Sequence, residues 1–253
     1  MKRLLLACLF AVTASPALAA TVADGRAHLD AGNYAAAVQT GRYVDTVDGA
    51  LLAAEAMGAQ IMLNRVEAKD TAKAALELLD GVLEAEPGNT EALFLRALHQ
   101  GFRTRSASKL AIVMGGLIGR TEDRIEAFAA AAPGDPRADA LRGAWHLGIV
   151  RAAGDGRFGA SLEAGLARYD AAVSAMPDDI VVMSNYAFSL IVMDDAGLRP
   201  RAKTLLDRIA DTPATDAIGR ETKARMMRLR DAWDDTAAVR ELARDLLNTE
   251  EVG

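Results

Sequence analysis

The chain has few of the residues that build disulfide-linked, metal-binding or sheet-forming proteins. Its 253 residues include one cysteine, three histidines and 5% aromatic side chains. A single cysteine excludes an internal disulfide, and strand-like alternation of useful length is missing. Alanine dominates the apolar residues, which suits closely packed helices better than a sheet, because sheets favour β-branched and aromatic side chains. The sequence therefore predicts an all-α protein.

Long apolar runs are equally scarce, apart from a short one near the N-terminus. Two basic residues precede the apolar run Leu4–Val12, and the small-x-small sequence Ala17-Leu18-Ala19 comes after a helix-breaking proline. This order is that of a secretory signal peptide, and the run is shorter than the ~20 residues that span a bilayer. We predict that residues 1–19 are removed and that residues 20–253 are a soluble, periplasmic protein of a Gram-negative bacterium.

Positive charge is also in short supply. Loss of Lys2 and Arg3 with the signal peptide lowers the number of basic residues from 29 to 27 against 35 acidic ones, a net charge of −8. A chain this acidic is a poor partner for nucleic acid. Cys8 would leave with the signal peptide, so the mature chain would hold no thiol. The alternative, lipidation of Cys8 in the short motif Leu-Leu-Ala-Cys, stays open.

What the chain does have is a repeat marked by prolines. Pro87, Pro133 and Pro177 are 46 and 44 residues apart, and Pro213 follows 36 residues later. Proline lacks the amide hydrogen that continues a helix, so each of these positions ends a helical stretch. A small residue stands ten positions after the first three prolines, and ten positions after Gly49 in the first unit: Ala97, Gly143, Ala187 and Ala59. Small residues at one depth predict closely packed helical hairpins.

These turns resemble those of the tetratricopeptide repeat (TPR) family. The run Gly32-Asn33-Tyr34-x-x-Ala37 is similar to the family's inter-helix turn and following small residue, and Gly25 stands at its small position in the first helix. Two later segments are similar to the family's second helix and terminal proline: Ala75, Leu79, Val82 and Pro87, and Gly165, Tyr169, Ala172 and Pro177. The family period is about 34 residues, so the longer central spacings imply lengthened helices or insertions.

The resemblance implies a right-handed superhelix of antiparallel helical hairpins with a concave groove. Such a groove binds a peptide, a protein or a small ligand, and it implies no chemistry. We expect a single domain with hairpins over 21–45 and 49–86, helices over 137–152 and 179–193, an irregular insertion over 103–121 and a C-terminal capping pair over 214–250. The glycine-rich stretch 154–159 lacks the ending of a P-loop and the carboxylates of a calcium loop. We interpret it as an inter-helix turn, with Phe158 packed into the array.

One region differs from the rest in charge. Residues 92–121 contain no acidic side chain and five basic ones, which we predict to form a basic patch: Arg96, Arg103, Arg105, Lys109 and Arg120. The apolar stretch 110–119 lies inside this region. A basic, apolar segment in an acidic protein favours contact with a membrane surface, an anionic ligand or an acidic partner. A buried helix or turn of the array is the alternative interpretation.

An aromatic stripe lies at the start of the same region. Phe94, Leu98 and Phe102 recur at intervals of four residues, on one face of a helix. If the concave groove follows the first helix of each pair, as the resemblance implies, the candidates for contact with a partner are these: Phe94, Leu98, Phe102, Arg105, Phe188 and Val192. Packing in the core is the alternative for the stripe.

Residue patterns typical of catalysis are missing. His28, His99 and His146 lie in three different repeat units without a ligand-type partner one helical turn away, so we expect no metal site. Adjacent aspartates stand at predicted helix ends, where they cap amides rather than share a cleft. We therefore expect no catalytic residue and no cofactor, and predict a binding or scaffold protein of the cell envelope. The alternative is a small-molecule or lipid-binding accessory protein of a transport system.

Overall fold

The computed structural model describes residues 20–107 and 116–247. Within these ranges the chain forms twelve α-helices and no strand, which confirms the predicted all-α fold. The helices are α1 Val22–Asp30, α2 Tyr34–Val44, α3 Val47–Met62, α4 Ala68–Ala85, α5 Thr90–Arg105, α6 Leu117–Ala131, α7 Pro136–Ala153, α8 Leu162–Ala175, α9 Ile180–Val192, α10 Arg199–Asp211, α11 Ala217–Asp231 and α12 Thr236–Leu247. The predicted signal peptide lies outside the described residues.

Side-chain caps fix where many of these helices begin. Asn89 accepts a hydrogen bond from the amide of Ala92 at 2.9 Å, directly after the turn at Pro87. Asp179 does the same for Val182 at 2.9 Å after the turn at Pro177. The first amides of a helix have no partner within the helix, so each cap satisfies a donor that would otherwise be unpaired. The proline turns thus end one helix and position the cap of the next.

Small residues let neighbouring helices approach closely, and three of the glycines show this. A Cβ atom on Gly25 of α1 would lie 2.4 Å from Leu52 Cδ2 of α3. A Cβ on Gly143 of α7 would lie 2.6 Å from the ring of Tyr169, and one on Gly165 of α8 would lie 2.6 Å from Leu147. The other predicted packing residues with small side chains are buried: Ala37, Ala59, Ala97 and Ala187. Gly32 has a φ of +80°, which its turn requires.

The helical array closes on itself. Each odd-numbered helix contacts the next, from α1 through α3, α5, α7 and α9 to α11, and α11 in turn contacts α1. The even-numbered helices pack against this ring as the second members of the hairpins. Thus α11, the first helix of the C-terminal pair that was predicted as a cap over 214–250, contacts the first hairpin.

We call the contact between the two ends the seam. Tyr34 OH donates to Glu221 Oε1 at 3.2 Å, and Arg65 forms an ion pair with the same carboxylate. Arg225 Nη1 donates to the carbonyl oxygen of Met62 at 3.1 Å. A small apolar cluster lies beside these bonds: Tyr34, Ala59, Leu63 and Ala217. Both ends of the chain therefore supply apolar and charged groups to one interface.

Two expectations for the connecting segments need correction. Residues 103–105 and 117–121 of the predicted insertion are helical, because α5 continues to Arg105 and α6 begins at Leu117, and residues 108–115 lie outside the described residues. Both helix ends are tied together by a hydrogen bond of 2.9 Å between the hydroxyls of Thr104 and Thr121. Phe158 does not pack into the array: its side chain is 55% exposed, and its backbone has a φ of +53° within the turn between α7 and α8.

Candidate functional site

An open cleft of about 570 Å³ lies between α8 and α10, with α9 beneath it. We call it the Tyr186 cleft. Its volume is within the range of small-molecule pockets, but the cleft is open to solvent and does not enclose a ligand. The lining residues come from all three helices: Asp170, Val173, Ser174, Tyr186, Arg201, Thr204, Leu205 and Arg208. On α10 they recur at three- and four-residue spacing, so one face of that helix forms a wall.

The position of Tyr186 follows from a chain of packing contacts. Gly143 has no side chain, and Tyr169 fills the space beside it. The Tyr169 ring stacks on that of Tyr186, with 4.6 Å between ring centroids and 5° between planes. Stacked aromatic pairs stabilise by about 0.5–1.5 kcal/mol beyond their buried area. The Tyr186 ring is fixed by packing, because only 1% of the residue is exposed to solvent. Its hydroxyl group reaches the cleft.

Three polar groups from three helices meet in the Tyr186 cleft. Tyr186 OH donates to Asp170 Oδ1 at 2.9 Å. Arg201 Nη1 donates to Tyr186 OH at 2.9 Å and to Asp170 Oδ2 at 3.1 Å. Burial raises the pKa of the Tyr186 phenol, and the neighbouring Asp170 carboxylate raises it further. The phenol therefore stays protonated at neutral pH and acts as a hydrogen-bond donor.

The arginines of the cleft keep donors for a ligand. A guanidinium has five N–H groups. Among the described residues, Arg201 uses Nη1 for its hydrogen bonds, and Arg208 uses Nη2 to donate to the Pro177 carbonyl at 2.8 Å. Two arginines against one aspartate make the lining net positive in a chain whose formal net charge is −6. Val173 and Leu205 complete the lining from below, where they are almost fully buried in the core.

The structure brings only part of the predicted basic patch together. Arg96, Arg103 and Arg120 lie near Arg124, an arginine that the sequence prediction did not include. Burial lowers the pKa of Arg124, and the positive charges of Arg96, Arg103 and Arg120 lower it further. Arg124 Nη1 donates to the buried Oε1 of Gln100 at 2.8 Å. The prediction relied on a stretch without acidic residues, which ends at residue 121. The spacing of four residues between Arg120 and Arg124 was the available signal.

Two members of the predicted patch, Arg96 and Arg105, make further contacts with their neighbours. Arg96 is ion-paired with Asp80 of α4, with 2.7 Å between Nε and Oδ1. The Arg105 guanidinium lies 5.4 Å from the centre of the Phe102 ring. Lys109 and most of the apolar stretch 110–119 lie outside the described residues. The patch is therefore a local cluster at α5 and α6 that is held by polar contacts to its neighbours.

The predicted groove residues fall into separate packing clusters. Phe94 packs against Phe128, with 5.5 Å between ring centroids, and lies 4.3 Å from the Arg137 guanidinium. Phe102 is 7% exposed and packs in a cluster with Ile61.

Leu98 packs against both the cluster beside Phe94 and the cluster that contains Phe102. Phe188 and Val192 instead pack against the C-terminal core cluster around α9 to α12. The structure thus does not bring these side chains into one surface, and for Phe102 the core interpretation applies.

The histidines occupy three different settings, and the first of them, His28, is half-buried in the last turn of α1. His99 is fully buried, its Nε2 lies 2.9 Å from the carbonyl oxygen of Ala54, and Nδ1 has no hydrogen-bond partner among the described residues. His146 Nδ1 accepts a hydrogen bond from the Ser161 amide at 3.2 Å. In the part of the chain that the structure describes, no three histidine, cysteine or acidic side chains are grouped to hold a metal ion. The same part contains no helix long and apolar enough to cross a bilayer.

Comparisons with protein-family models, with curated proteins and with solved structures found no match. The helical array and the Tyr186 cleft are therefore the basis for a functional proposal. Sequence reasoning did not select Asp170, Tyr186, Arg201 or Arg208. The signal that was present is the spacing of Arg201, Thr204 and Arg208 on one face of the helix now seen as α10.

Proposed function

We propose that this chain is a non-enzymatic binding protein of the bacterial cell envelope, built as a divergent TPR-like array, and that it holds a protein partner in the Tyr186 cleft. The observation that carries the proposal is the cleft itself. It is open to solvent, it presents hydrogen-bond donors whose positions are fixed by packing, and it is formed by three consecutive helices of the array.

The composition of the cleft favours binding over chemistry. Its ionisable groups are two arginines, one aspartate and a phenol held in its protonated form, and the Tyr186 hydroxyl is engaged by Asp170 and Arg201. Catalysis by proton transfer needs a group whose pKa is near the working pH. The pKa of Tyr186 is shifted away from neutrality, which suits a donor that recognises an acceptor.

The cell-envelope location is supported by the sequence pattern of residues 1–19, which is that of a signal peptide. In the alternative function, a lipid or small-molecule carrier, the ligand pocket is expected to be walled by residues from Phe94 to Ile118. The described part of that stretch is packed, with Phe94 against Phe128 and Phe102 in a buried cluster. A solvent-open cleft at a different place favours a macromolecular partner.

Site-specific photo-crosslinking in cells tests this function. A photoreactive residue replaces Thr204, which is exposed on the wall of the cleft, and in a control strain it replaces Arg151, which is exposed at the end of α7. We expect one protein to crosslink from position 204 and not from position 151. The captured protein is then identified and purified, and its affinity is measured against the wild-type chain and Arg201→Gln.

The proposal requires that the purified partner bind the wild-type chain and bind Arg201→Gln more weakly. Equal crosslinking from positions 204 and 151 would show that contact is nonspecific. Equal affinity for wild type and Arg201→Gln would place the binding surface outside the cleft and overturn the assignment.

A further inference from the structure

We infer that the Tyr186 cleft recognises an acidic segment of its partner, and that Asp170 occupies the place of the partner's carboxylate until the partner binds. This inference rests on the proposed function, because it names the chemistry of the segment that the same cleft would hold. The contacts that Asp170 makes with Tyr186 and Arg201 inside the cleft support this inference.

The cleft already binds one carboxylate, that of Asp170. Asp170 accepts the Tyr186 hydroxyl through Oδ1 and an Arg201 N–H through Oδ2. A phenol and a guanidinium that converge on the two oxygens of one carboxyl group are complementary to carboxylates in general, since charge-assisted bonds of this kind are strong and directional. The binding mode of a ligand carboxylate is thus present as an internal contact.

Asp170 is held weakly enough to be displaced. Its side chain is 53% exposed and that of Arg201 is 43% exposed, so water screens the ion pair between them. Exposed ion pairs of this kind contribute little to stability. The carboxylate of an incoming segment can replace that of Asp170 at small cost, because Asp170 returns to water while Tyr186 and Arg201 keep an anionic acceptor.

The rest of the lining fits a peptide better than a small free anion. Arg208 lies on the same face of α10 as Arg201, seven residues further along, and provides a second cationic group for a second acidic side chain. Val173 and Leu205 also line the cleft, but they are 6% and 7% exposed and leave little apolar surface for any ligand to cover. Two arginines seven positions apart match a chain that carries acidic side chains separated by small residues, whereas a single small anion would engage only one of them.

Fluorescence anisotropy of the purified chain tests the inference. The probe is a fluorescein-labelled peptide of alternating alanine and glutamate, and the matched control is the same peptide with glutamine at each glutamate position. We expect the glutamate peptide to bind about tenfold more tightly than the glutamine peptide, the factor expected for one charge-assisted hydrogen-bond site. Sodium phosphate and sodium acetate, added at matched ionic strength, should compete weakly.

Substitutions separate recognition from a structural role. Arg201→Gln should weaken binding of the glutamate peptide about tenfold, and Tyr186→Phe should weaken it while preserving the stack on Tyr169. Asp170→Asn should strengthen binding up to about fivefold, because the internal competitor loses its charge. Arg151→Gln is the control on an exposed helix end and should leave binding unchanged.

The outcomes are distinct. If the only role of Asp170 is to hold α8, α9 and α10 together, Asp170→Asn lowers the melting temperature and does not strengthen binding of the glutamate peptide. That result overturns the inference. Equal binding of the two peptides also overturns it, and crosslinking from position 204 then still decides whether the cleft binds a partner of other chemistry. Strong competition by phosphate would instead assign the cleft to a free anion.

Discussion

His99 Nε2 lies 2.9 Å from the carbonyl oxygen of Ala54, a buried bond that joins α5 to α3. The carbonyl can only accept, so Nε2 carries the proton and donates. Burial lowers the pKa of this imidazole to about 4, although the bond to Ala54 acts in the opposite direction. The ring is therefore neutral at neutral pH, and its protonation is linked to unfolding.

This linkage predicts a loss of stability in mild acid. An unfolded histidine has a pKa of about 6.5, so between pH 6.5 and 4 the unfolded chain binds a proton that the folded chain does not. The His99 contribution is complete above pH 6.5 and falls by about 3 kcal/mol as the pH drops to 4. Urea unfolding at a series of pH values measures it.

The matched variant is His99→Gln, whose amide can donate to Ala54 without titrating. Carboxylates also titrate in this range, so the informative quantity is the difference between wild type and variant. That difference should shrink steadily as the pH falls. Parallel curves for the two proteins would show that His99 has no part in the acid response.

Adding a methyl group at Gly143 should destabilise the fold. A Cβ there would lie 2.6 Å from Cδ2 of the buried Tyr169 ring and 3.1 Å from its backbone nitrogen. Overpacking of this kind costs about 1–3 kcal/mol. Gly148→Ala on the same helix is the control, because its Cβ would meet nothing within 4 Å and alanine favours the helix by up to ~1 kcal/mol. Urea unfolding should shift in opposite directions for the two variants.

Removing the carboxylate at the seam should loosen both ends of the array together. Glu221→Ala deletes the acceptor shared by Tyr34 and Arg65 and should cost about 1 kcal/mol, since these groups are partly exposed. Hydrogen exchange should accelerate in α2, which begins at Tyr34, and in α11 more than in α5. Glu241→Ala, on the exposed side of α12, should leave all three helices unchanged. Faster exchange in α11 without any change in α2 would contradict the closed ring.

The exposed aromatic in the turn between α7 and α8 should be replaceable with a gain in stability. Phe158 adopts a left-handed backbone conformation, which costs about 1–2 kcal/mol for a residue with a Cβ and less for asparagine. Because 55% of the side chain is exposed, little packing is lost. Phe158→Asn should raise the free energy of unfolding by about 0.5–1 kcal/mol. A decrease would show that the ring makes stabilising contacts.

The local parts of the fold were predictable because their causes are local. The helix predicted over 179–193 is found over Ile180–Val192, since the cap at Asp179 and the apolar periodicity are contained in a few neighbouring residues. The seam was not predictable, because Tyr34 and Glu221 are 187 positions apart and neither is unusual in its own helix. Only the accumulated geometry of the hairpins brings them together.

The candidate site was beyond sequence reasoning for a related reason. Asp170 and Arg201 lie in different hairpins, 31 positions apart, and each looks like an ordinary solvated charge on its helix. The predicted stripe at Phe94 and Phe102 had the stronger periodic signal, and the structure uses that signal for packing. Apolar periodicity identifies the buried face of a helix, whereas a cleft depends on which polar faces end up opposite one another.

The contact of α11 with α1 also changes how the molecule should come apart. In an open stack of repeats each hairpin depends on its immediate neighbours, so the ends fray first and unfolding proceeds stepwise. Here the first and last hairpins support each other. Loss of the first hairpin removes a neighbour from the last one as well, and the array should melt as one cooperative unit.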